Sequence, residues 1–437
     1  MSSAPPEGRM VPGIFDGAAG NLCVACKGSK MLCGKERCPI LVRHFAQMRA
    51  RALIDTLELE GSSPPGVFVG QWGYPKVFVG PLIPPISGDT EVLDTPEMWL
   101  GRSIDELVDF RARLVRGMHP VNVYDVERGG RLVDRVRELG LAAGPADSEA
   151  EFLKKPAGRL VLDDEVQPFG PSAPIKRLEL GSLRLDQRLE RRSSDTDLRA
   201  GEAILSLYRE GVLLSRIQKA LSVGSFGLRR NRRFVPTRWS ITAVDDTIGK
   251  ELRERVKRLP LLNEYRIYES WNLDNRFIVL LMPTSWRYEL VEAWYPNTVW
   301  NPLGREILMI SSHEGYGGRR DYAEIGGCYY AARLATCEHL LRLGRQAGCV
   351  ILREAHPGYI MPVGVWNVRE NVRNALRGPF LSFQTLPQAL EHIRTRLDIR
   401  MRRWLRASRV LAGIREQRRI EDFLPVEPAA KDAEGVG

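Results

Sequence analysis

Hydrophobic and polar residues recur at two spacings along this chain, and each spacing predicts one type of element. Residues 40–59 place Leu41, Phe45, Met48 and other apolar side chains at helical intervals, so we expect a helix with these residues on its buried face. The near-identical segments 67–70 and 77–80, both Val-Phe-Val-Gly, flank a turn rich in glycine and proline, which is typical of a β-hairpin. The mixture of both patterns predicts an α+β fold.

A last apolar stripe predicts one long helix near the end of the chain. It runs from Leu390 to Leu411, and Thr385 and Gln388 form a capping-box pattern at its start. Together the patterns predict a small four-cysteine metal knuckle on a large mixed α/β body, then a basic helix and a flexible tail that carries a short binding motif. The expected divisions are a flexible N-terminus (1–20), a zinc-finger-like module (21–45), a first α+β region with the hairpin (46–185), a second α+β region ending in the basic helix (186–412) and the tail (413–437).

Composition narrows the class of protein. The 437 residues are 43% hydrophobic and 27% charged, which is ordinary for a globular chain with a large core. The longest apolar run, Phe277 to Pro283, is far shorter than the ~18 residues that span a membrane. Residues 1–20 have no apolar segment of the secretory type. We therefore expect no membrane contact and a cytoplasmic location, associated with the nucleoid.

Positive charge is concentrated in two places. The chain carries 64 Lys and Arg against 54 Asp and Glu, a net charge of +10. Residues 388–420 hold ten Arg against three acidic residues, and residues 227–234 form a second compact basic cluster. Concentrated arginine is typical of phosphate contact, although a solvated helix face is the common alternative. We take as candidate DNA-binding residues Arg229, Arg230, Arg232, Arg233, Arg402, Arg403 and Arg406.

Four of the seven cysteines crowd into sixteen residues. Cys23, Cys26, Cys33 and Cys38 have the spacing C-x2-C-x6-C-x4-C, and an odd cysteine total without a secretory signal favours metal ligation over disulfides. Four thiolates suit a tetrahedral zinc ion and leave no open position, so the site should be structural. Because the second pair departs from the usual C-x2-C, an iron–sulfur cluster remains the alternative.

The end of the chain carries a short recognition pattern. One helical turn would bring Ile420, Phe423 and Leu424 together as an apolar plug, while Gln417 reaches a separate polar pocket. The pattern resembles a PIP box, the peptide that docks on the sliding clamp PCNA. Leu424 stands where such peptides often have a second aromatic residue. Docking of the plug on the chain's own body is the alternative.

Two further features bear on chemistry. Trp72 and Tyr74 at the hairpin tip have rings that can stack on bases, but we expect them to pack under the turn. The local acidic clusters, Asp163-Asp164-Glu165 and Asp245-Asp246, do not form a recognisable magnesium site. We therefore expect a binding factor rather than an enzyme, with a clamp-tethered nuclease or nucleotide-processing hydrolase as the alternative.

Taken together, the motifs resemble one known family, the archaeal Nre DNA-repair proteins. The resemblance rests on the cysteine knuckle, the hairpin, the terminal pattern and the segments 326–335 (Gly-Gly-Cys-Tyr-Tyr-Ala-Ala-Arg-Leu-Ala) and 362–370 (Pro-Val-Gly-Val-Trp-Asn-Val-Arg-Glu). It implies a role in DNA damage repair, a C4 zinc-finger-like site at the four cysteines and PCNA binding through residues 417–424. It implies no catalytic residues.

Overall fold

The computed structural model describes residues 26, 30–32, 35, 37–158, 169–298, 300–301 and 304–416. Its helices are α1 (Pro39–Ile54), α2 (Ile104–Ala112), α3 (Gly130–Leu141), α4 (Gln187–Ser194), α5 (Ala200–Arg209), α6 (Leu214–Ser222), α7 (Thr237–Val256), α8 (Gly327–Leu343), α9 (Trp366–Arg377), α10 (Leu386–Arg396), α11 (Met401–Ala407) and α12 (Arg409–Glu416). Its strands are β1 (Glu58–Ser63), β2 (Val67–Val69), β3 (Lys76–Ile83), β4 (Val115–Asn122), β5 (Ala146–Phe152), β6 (Ser172–Leu180), β7 (Tyr265–Asn272), β8 (Asn275–Met282), β9 (Tyr288–Trp294), β10 (Leu308–Glu314), β11 (Gly348–Ala355) and β12 (Phe380–Phe383). The mixture confirms the predicted α+β class.

The strands form two mixed sheets. The first has the order β1-β5-β6-β4-β3-β2, and only its β4–β6 pair is parallel. The predicted hairpin is confirmed, because β2 and β3 pair antiparallel with Val69 opposite Val79. The second sheet has the order β10-β9-β11-β8-β7-β12, and its single parallel pair joins β9 to β11. The predicted division at residue 185 falls between the two sheets in sequence and stays a prediction.

The second sheet is covered by helices on both faces. On β8, Phe277, Val279 and Leu281 face one apolar core, which the helices α5 to α9 complete. Ile278, Leu280 and Met282 face the opposite core, built with α10, α11 and α12. This double burial explains the longest apolar run of the sequence, since a strand covered on both faces has no polar side.

The predicted terminal helix is divided into three. Its start is confirmed, because the Thr385 hydroxyl accepts a hydrogen bond from the Gln388 amide. The continuation is wrong: buried Glu354 of β11 accepts the Ile399 amide at 2.9 Å after α10 ends. Buried Glu289 of β9 likewise accepts the amides of Arg409 and Val410 at the start of α12. Two carboxylates from the sheet therefore stabilise the points where the helix is interrupted. The local pattern of apolar residues does not show these interruptions.

The first predicted helix is shorter and rotated. It ends at Ile54 instead of residue 59, and residues 58–63 form β1. Its buried positions are Val42, Ala46, Ala50 and others on the same face, whereas Phe45 and Met48 are exposed. The small side chains on this face allow α1 to pack closely on the rest of the protein. A prediction that assigns the most hydrophobic residues to the buried face does not find this arrangement.

Candidate nucleic-acid interface

The basic segment between α6 and α7 is held at both ends by backbone hydrogen bonds. At its start, the Arg229 amide donates to the Thr196 carbonyl at 3.0 Å. At its end, the Phe234 amide donates to the Val123 carbonyl after β4, and the Val235 amide donates to the Ser222 carbonyl of α6, each at 2.9 Å. The Phe234 ring itself is buried in the core of the first sheet. The arginines that precede it are therefore presented from an anchored loop.

The four arginines of this segment have different environments. Arg229, Arg230 and Arg233 are exposed, and Arg229 forms an ion pair with Glu127 at 3.2 Å. Arg232 is buried, and burial lowers its pKa. Its guanidinium donates to three carbonyl oxygens, those of Gly227 at 2.9 Å, Ser193 at 2.6 Å and Asp195 at 2.6 Å. The donors of Arg232 are thus used inside the protein, and its assignment to a DNA-binding surface stays a prediction.

The tip of the β2–β3 hairpin lies beside this segment. The Gly70 amide donates to the Phe78 carbonyl at 2.8 Å, and the Lys76 amide donates to the Gly73 carbonyl at 2.9 Å. Gly73 has a φ of +81°, a conformation that glycine adopts at little cost. The Val123 amide donates to the Pro75 carbonyl at 2.9 Å, which joins the tip to the end of β4. The turn is therefore fixed against the body.

Four aromatic residues stand at this tip or beside it. The rings of Tyr74 and Trp239 are 5.2 Å apart at 48°, and Tyr124 follows the end of β4. Trp72 is 71% exposed, Tyr124 60%, Tyr74 39% and Trp239 38%. The prediction that the tip residues pack under the turn is wrong for Trp72, and Tyr74 packs sideways on Trp239 instead. We call Trp72, Tyr74, Tyr124 and Trp239 the hairpin platform.

Electrostatics connect the hairpin platform with the arginine segment. The pKa of Tyr74 is raised, chiefly because the ring is partly buried and because Tyr124 lies beside it. The positive charge of Arg233 opposes this shift. Sequence reasoning missed Tyr124 and Trp239, since they lie 50 and 165 positions after Tyr74 and carry no motif. Only the fold brings the rings together.

The second arginine group lies on α11 and lacks such neighbours. Arg402 and Arg406 are exposed, while Arg403 donates to the Ile307 carbonyl at 2.7 Å. Trp404 of the same helix is fully buried in the core under the second sheet. Among the described residues 384–416, no large hydrophobic side chain is exposed. This surface offers charge without stacking partners.

Comparison with known proteins identifies the family. The model for the N-terminal part of archaeal Nre proteins matches residues 32–301, and the model for the C-terminal part matches residues 314–423. The chain belongs to the archaeal Nre family. It is 40% identical over 403 residues to DNA repair protein NreB of Archaeoglobus fulgidus, an alignment that covers 92% of this chain and all of NreB.

Two NreA proteins are also similar. DNA repair protein NreA of the same organism is 34% identical over 86% of this chain and 94% of its own length. DNA repair protein NreA of Haloferax volcanii is 34% identical over 87% of this chain and 96% of its own length. No solved structure shows significant similarity to the chain. Within the described ranges, none of the helices combines the length and apolar character that crossing a bilayer requires.

The cysteine pattern of this Nre chain is only partly described. Cys26 is buried, and Cys38 is the residue that precedes the first turn of α1. The Val42 amide donates to the Cys38 carbonyl at 3.1 Å, as the first turn of a helix requires. Cys23 and Cys33 lie outside the described residues, as do Gln417, Ile420, Phe423 and Leu424.

Of the two acidic clusters, the described one, Asp245 and Asp246, accepts hydrogen bonds from protein donors. Asp245 is buried, which raises its pKa to about 6, and it accepts from Arg369 and Gln218, each at 3.3 Å. Asp246 pairs with Arg333 and Lys250, each at 2.6 Å. Residues 163–165 lie outside the described part of the chain. The adjacent Asp245 and Asp246 carboxylates therefore serve two different ion-pair networks.

One group of possible metal ligands occurs among the described residues, formed by Glu354, His356 and Asp398. His356 lies 3.3 Å from Glu354 and 3.8 Å from Asp398. However, Glu354 already accepts the backbone amides of residues 398 and 399, and Arg276 lies 3.5 Å from Asp398. An arginine beside the carboxylates and two backbone donors indicate a structural ion-pair cluster.

Proposed function

We propose that the protein acts in DNA repair as a binding factor that contacts DNA and is recruited by the sliding clamp PCNA. The observation that carries the repair role is the 40% identity over 92% of the chain to a protein named a DNA repair protein. Association with the nucleoid follows from such a role. A clamp-tethered nuclease or nucleotide-processing hydrolase stays the alternative.

The proposed DNA contact centres on Arg230 and Arg233. Both are exposed on the anchored segment. Exposed guanidinium groups bind phosphate oxygens with two parallel hydrogen bonds, which supports this assignment. Arg402 and Arg406 on α11 offer a second, purely electrostatic contact.

The proposed clamp contact is the terminal segment 417–424. Its support is the spacing of Gln417, Ile420, Phe423 and Leu424, which matches a peptide that orders as one helical turn in an apolar groove. Such anchors concentrate the binding energy, because a few buried large side chains dominate short interfaces.

Replacement of Phe423 tests the clamp contact. In the full chain, Phe423→Ala should weaken binding to PCNA by about 30-fold or more, the effect of losing an anchor worth ~2 kcal/mol. Removal of residues 417–437 should abolish binding. Isothermal titration of purified PCNA measures both. Val426→Ala, two positions beyond the segment, is the matched control and should bind like the native chain. Unchanged affinity in Phe423→Ala would show that PCNA is not held by this segment.

We also propose a structural zinc ion on Cys23, Cys26, Cys33 and Cys38, with an iron–sulfur cluster as the alternative. Elemental analysis of protein purified without chelators should find about one zinc per chain. Cys38→Ser should lower the zinc content to well below one per chain, whereas Cys349→Ser, in the buried core of the second sheet, should retain it. A visible absorption band with iron in the sample would instead establish the cluster.

A further inference from the structure

We propose that the hairpin platform stacks on unpaired bases, so that this surface binds single-stranded DNA in preference to duplex. The inference rests on the proposed DNA contact and specifies the form of DNA that the contact takes. The platform consists of Trp72, Tyr74, Tyr124 and Trp239, defined above. We call the exposed Arg230 and Arg233, on the segment that is hydrogen-bonded to the end of β4, its basic border.

The exposure of these rings is the first argument. Large aromatic side chains are usually buried, and a cluster of exposed ones marks a contact surface. Trp72 leaves 71% of its surface accessible and has no aromatic neighbour within the described residues. Tyr74 and Trp239 support each other at 5.2 Å, and Tyr124 lies beside Tyr74. Three separate segments thus contribute rings to one exposed site.

Pre-organisation is the second argument. The Val123 amide fixes Pro75, and the Gly70 amide fixes the opposite side of the turn. The ring of Tyr74 rests on Trp239 of α7, a helix of 20 residues. A base that stacks here meets rings already held in place, so little conformational entropy is lost on binding.

The chemistry of the border favours a nucleic acid over a protein partner. Arg233 is exposed directly before Phe234, whose amide donates to the carbonyl of Val123, the residue before Tyr124. Arg230 is exposed on the same segment. Of the acidic residues after Tyr124, Glu127 is already paired with Arg229, while Asp125 is half-buried. Bases bind aromatic faces while guanidinium groups hold the neighbouring phosphates, which is the combination present here.

The preference for single strands follows from base accessibility. In a duplex each base face is covered by the next pair, so the platform meets only phosphates and ring edges. In a single strand the faces are open, and each base stacked on an aromatic side chain contributes ~1–3 kcal/mol to binding. Aromatic substitutions should therefore affect single-stranded DNA selectively, whereas arginine substitutions should affect both forms.

The test uses the full chain and two fluorescein-labelled ligands, a deoxythymidine oligomer of about 12 nucleotides and a duplex of equal length. Trp72→Ala and Tyr124→Ala should each raise the Kd for the single strand by about 5- to 100-fold, with less than ~2-fold change for the duplex. Trp72→Phe should restore most of the affinity. Tyr316→Ala is the matched control, since Tyr316 is 53% exposed in a distant loop after β10, and it should bind like the native chain.

The outcomes separate the two proposals. If the native chain binds neither ligand at low salt, the proposed DNA contact fails and this inference fails with it. If DNA binds and depends on Arg230 and Arg233 but not on Trp72 or Tyr124, only the stacking inference is overturned. Equal losses for single strand and duplex would overturn the strand preference. Tighter binding of the matching uridine oligomer would reassign the surface to RNA. Unchanged thermal melting of Trp72→Ala confirms that the fold is intact.

Discussion

The two arginine-rich regions look alike in sequence and differ in structure. In residues 229–233, one guanidinium is buried against three carbonyls, one is paired with Glu127, and the other two are exposed on a segment joined by a hydrogen bond to the end of β4, next to Tyr124. On α11, Arg402 and Arg406 are exposed above a helix whose buried side holds Trp404. Arginine count is therefore a poor guide to interface quality, because the same side chain serves as internal scaffold, ion pair or ligand contact according to its neighbours.

The substitution Arg232→Ala should distinguish most clearly an arginine that stabilises the fold from one that is exposed on the surface. It leaves the carbonyls of Gly227, Ser193 and Asp195 without their shared donor. We expect the free energy of unfolding to fall by about 2–4 kcal/mol, measured from urea denaturation. Arg230→Ala, two positions away and exposed, is the control and should stay within ~0.5 kcal/mol of the native chain.

The prediction is wrong if Arg232→Ala and Arg230→Ala change the free energy of unfolding by the same amount. Equal stabilities would mean that water replaces the guanidinium of Arg232 at no cost. Loss of DNA binding in Arg232→Ala under conditions where the chain is still folded would return Arg232 to the interface.

A smaller effect, on the affinity for DNA, should distinguish the exposed arginines of the segment 229–233 from those of α11. Arg230→Glu with Arg233→Glu should weaken single-strand binding by about tenfold or more and reduce the slope of log K against log salt by ~1.4, since each lost phosphate contact contributes ~0.7. Arg402→Glu with Arg406→Glu removes the same charge from α11. We expect a weaker loss there, because no stacking partner holds the strand in place. Fluorescence anisotropy over a salt series measures both.

The opposite order of affinity losses would contradict this comparison of the two surfaces. If the α11 variant loses more affinity than the variant of the segment 229–233, charge on the second region dominates and the hairpin platform is not the centre of the interface. Identical slopes for both variants and the native chain would show that neither surface contacts phosphate.

Several features were predictable from sequence because they depend on near neighbours. The β2–β3 hairpin follows from alternation around a glycine–proline turn, and the start of α10 follows from Thr385 and Gln388 three positions apart. Family membership was also within reach, since the motifs that carry it are contiguous. These signals act over fewer than twenty residues, where spacing alone specifies the contact.

Other features escaped prediction because their causes lie far along the chain. The breaks after α10 and α11 are stabilised by Glu354 and Glu289, which stand more than 40 and 100 positions earlier on two strands. The apolar stripe of α1 pointed to Phe45 and Met48, but the body accepts the small side chains of Ala46 and Ala50. Packing against distant elements overrides local pattern in both cases.

Taken by itself, the sequence determined the α+β class, the hairpin, the helix cap and the presence of concentrated arginine. The tertiary structure alone decided that Arg232 is internal while Arg230 and Arg233 are exposed. It also decided that Tyr124 and Trp239 lie beside Tyr74 at the hairpin tip, where Trp72 is exposed. Local spacing acts through the backbone of one segment. The platform instead depends on hydrogen bonds between segments, such as Val123 to Pro75 and Phe234 to Val123, whose partners no spacing rule pairs in advance.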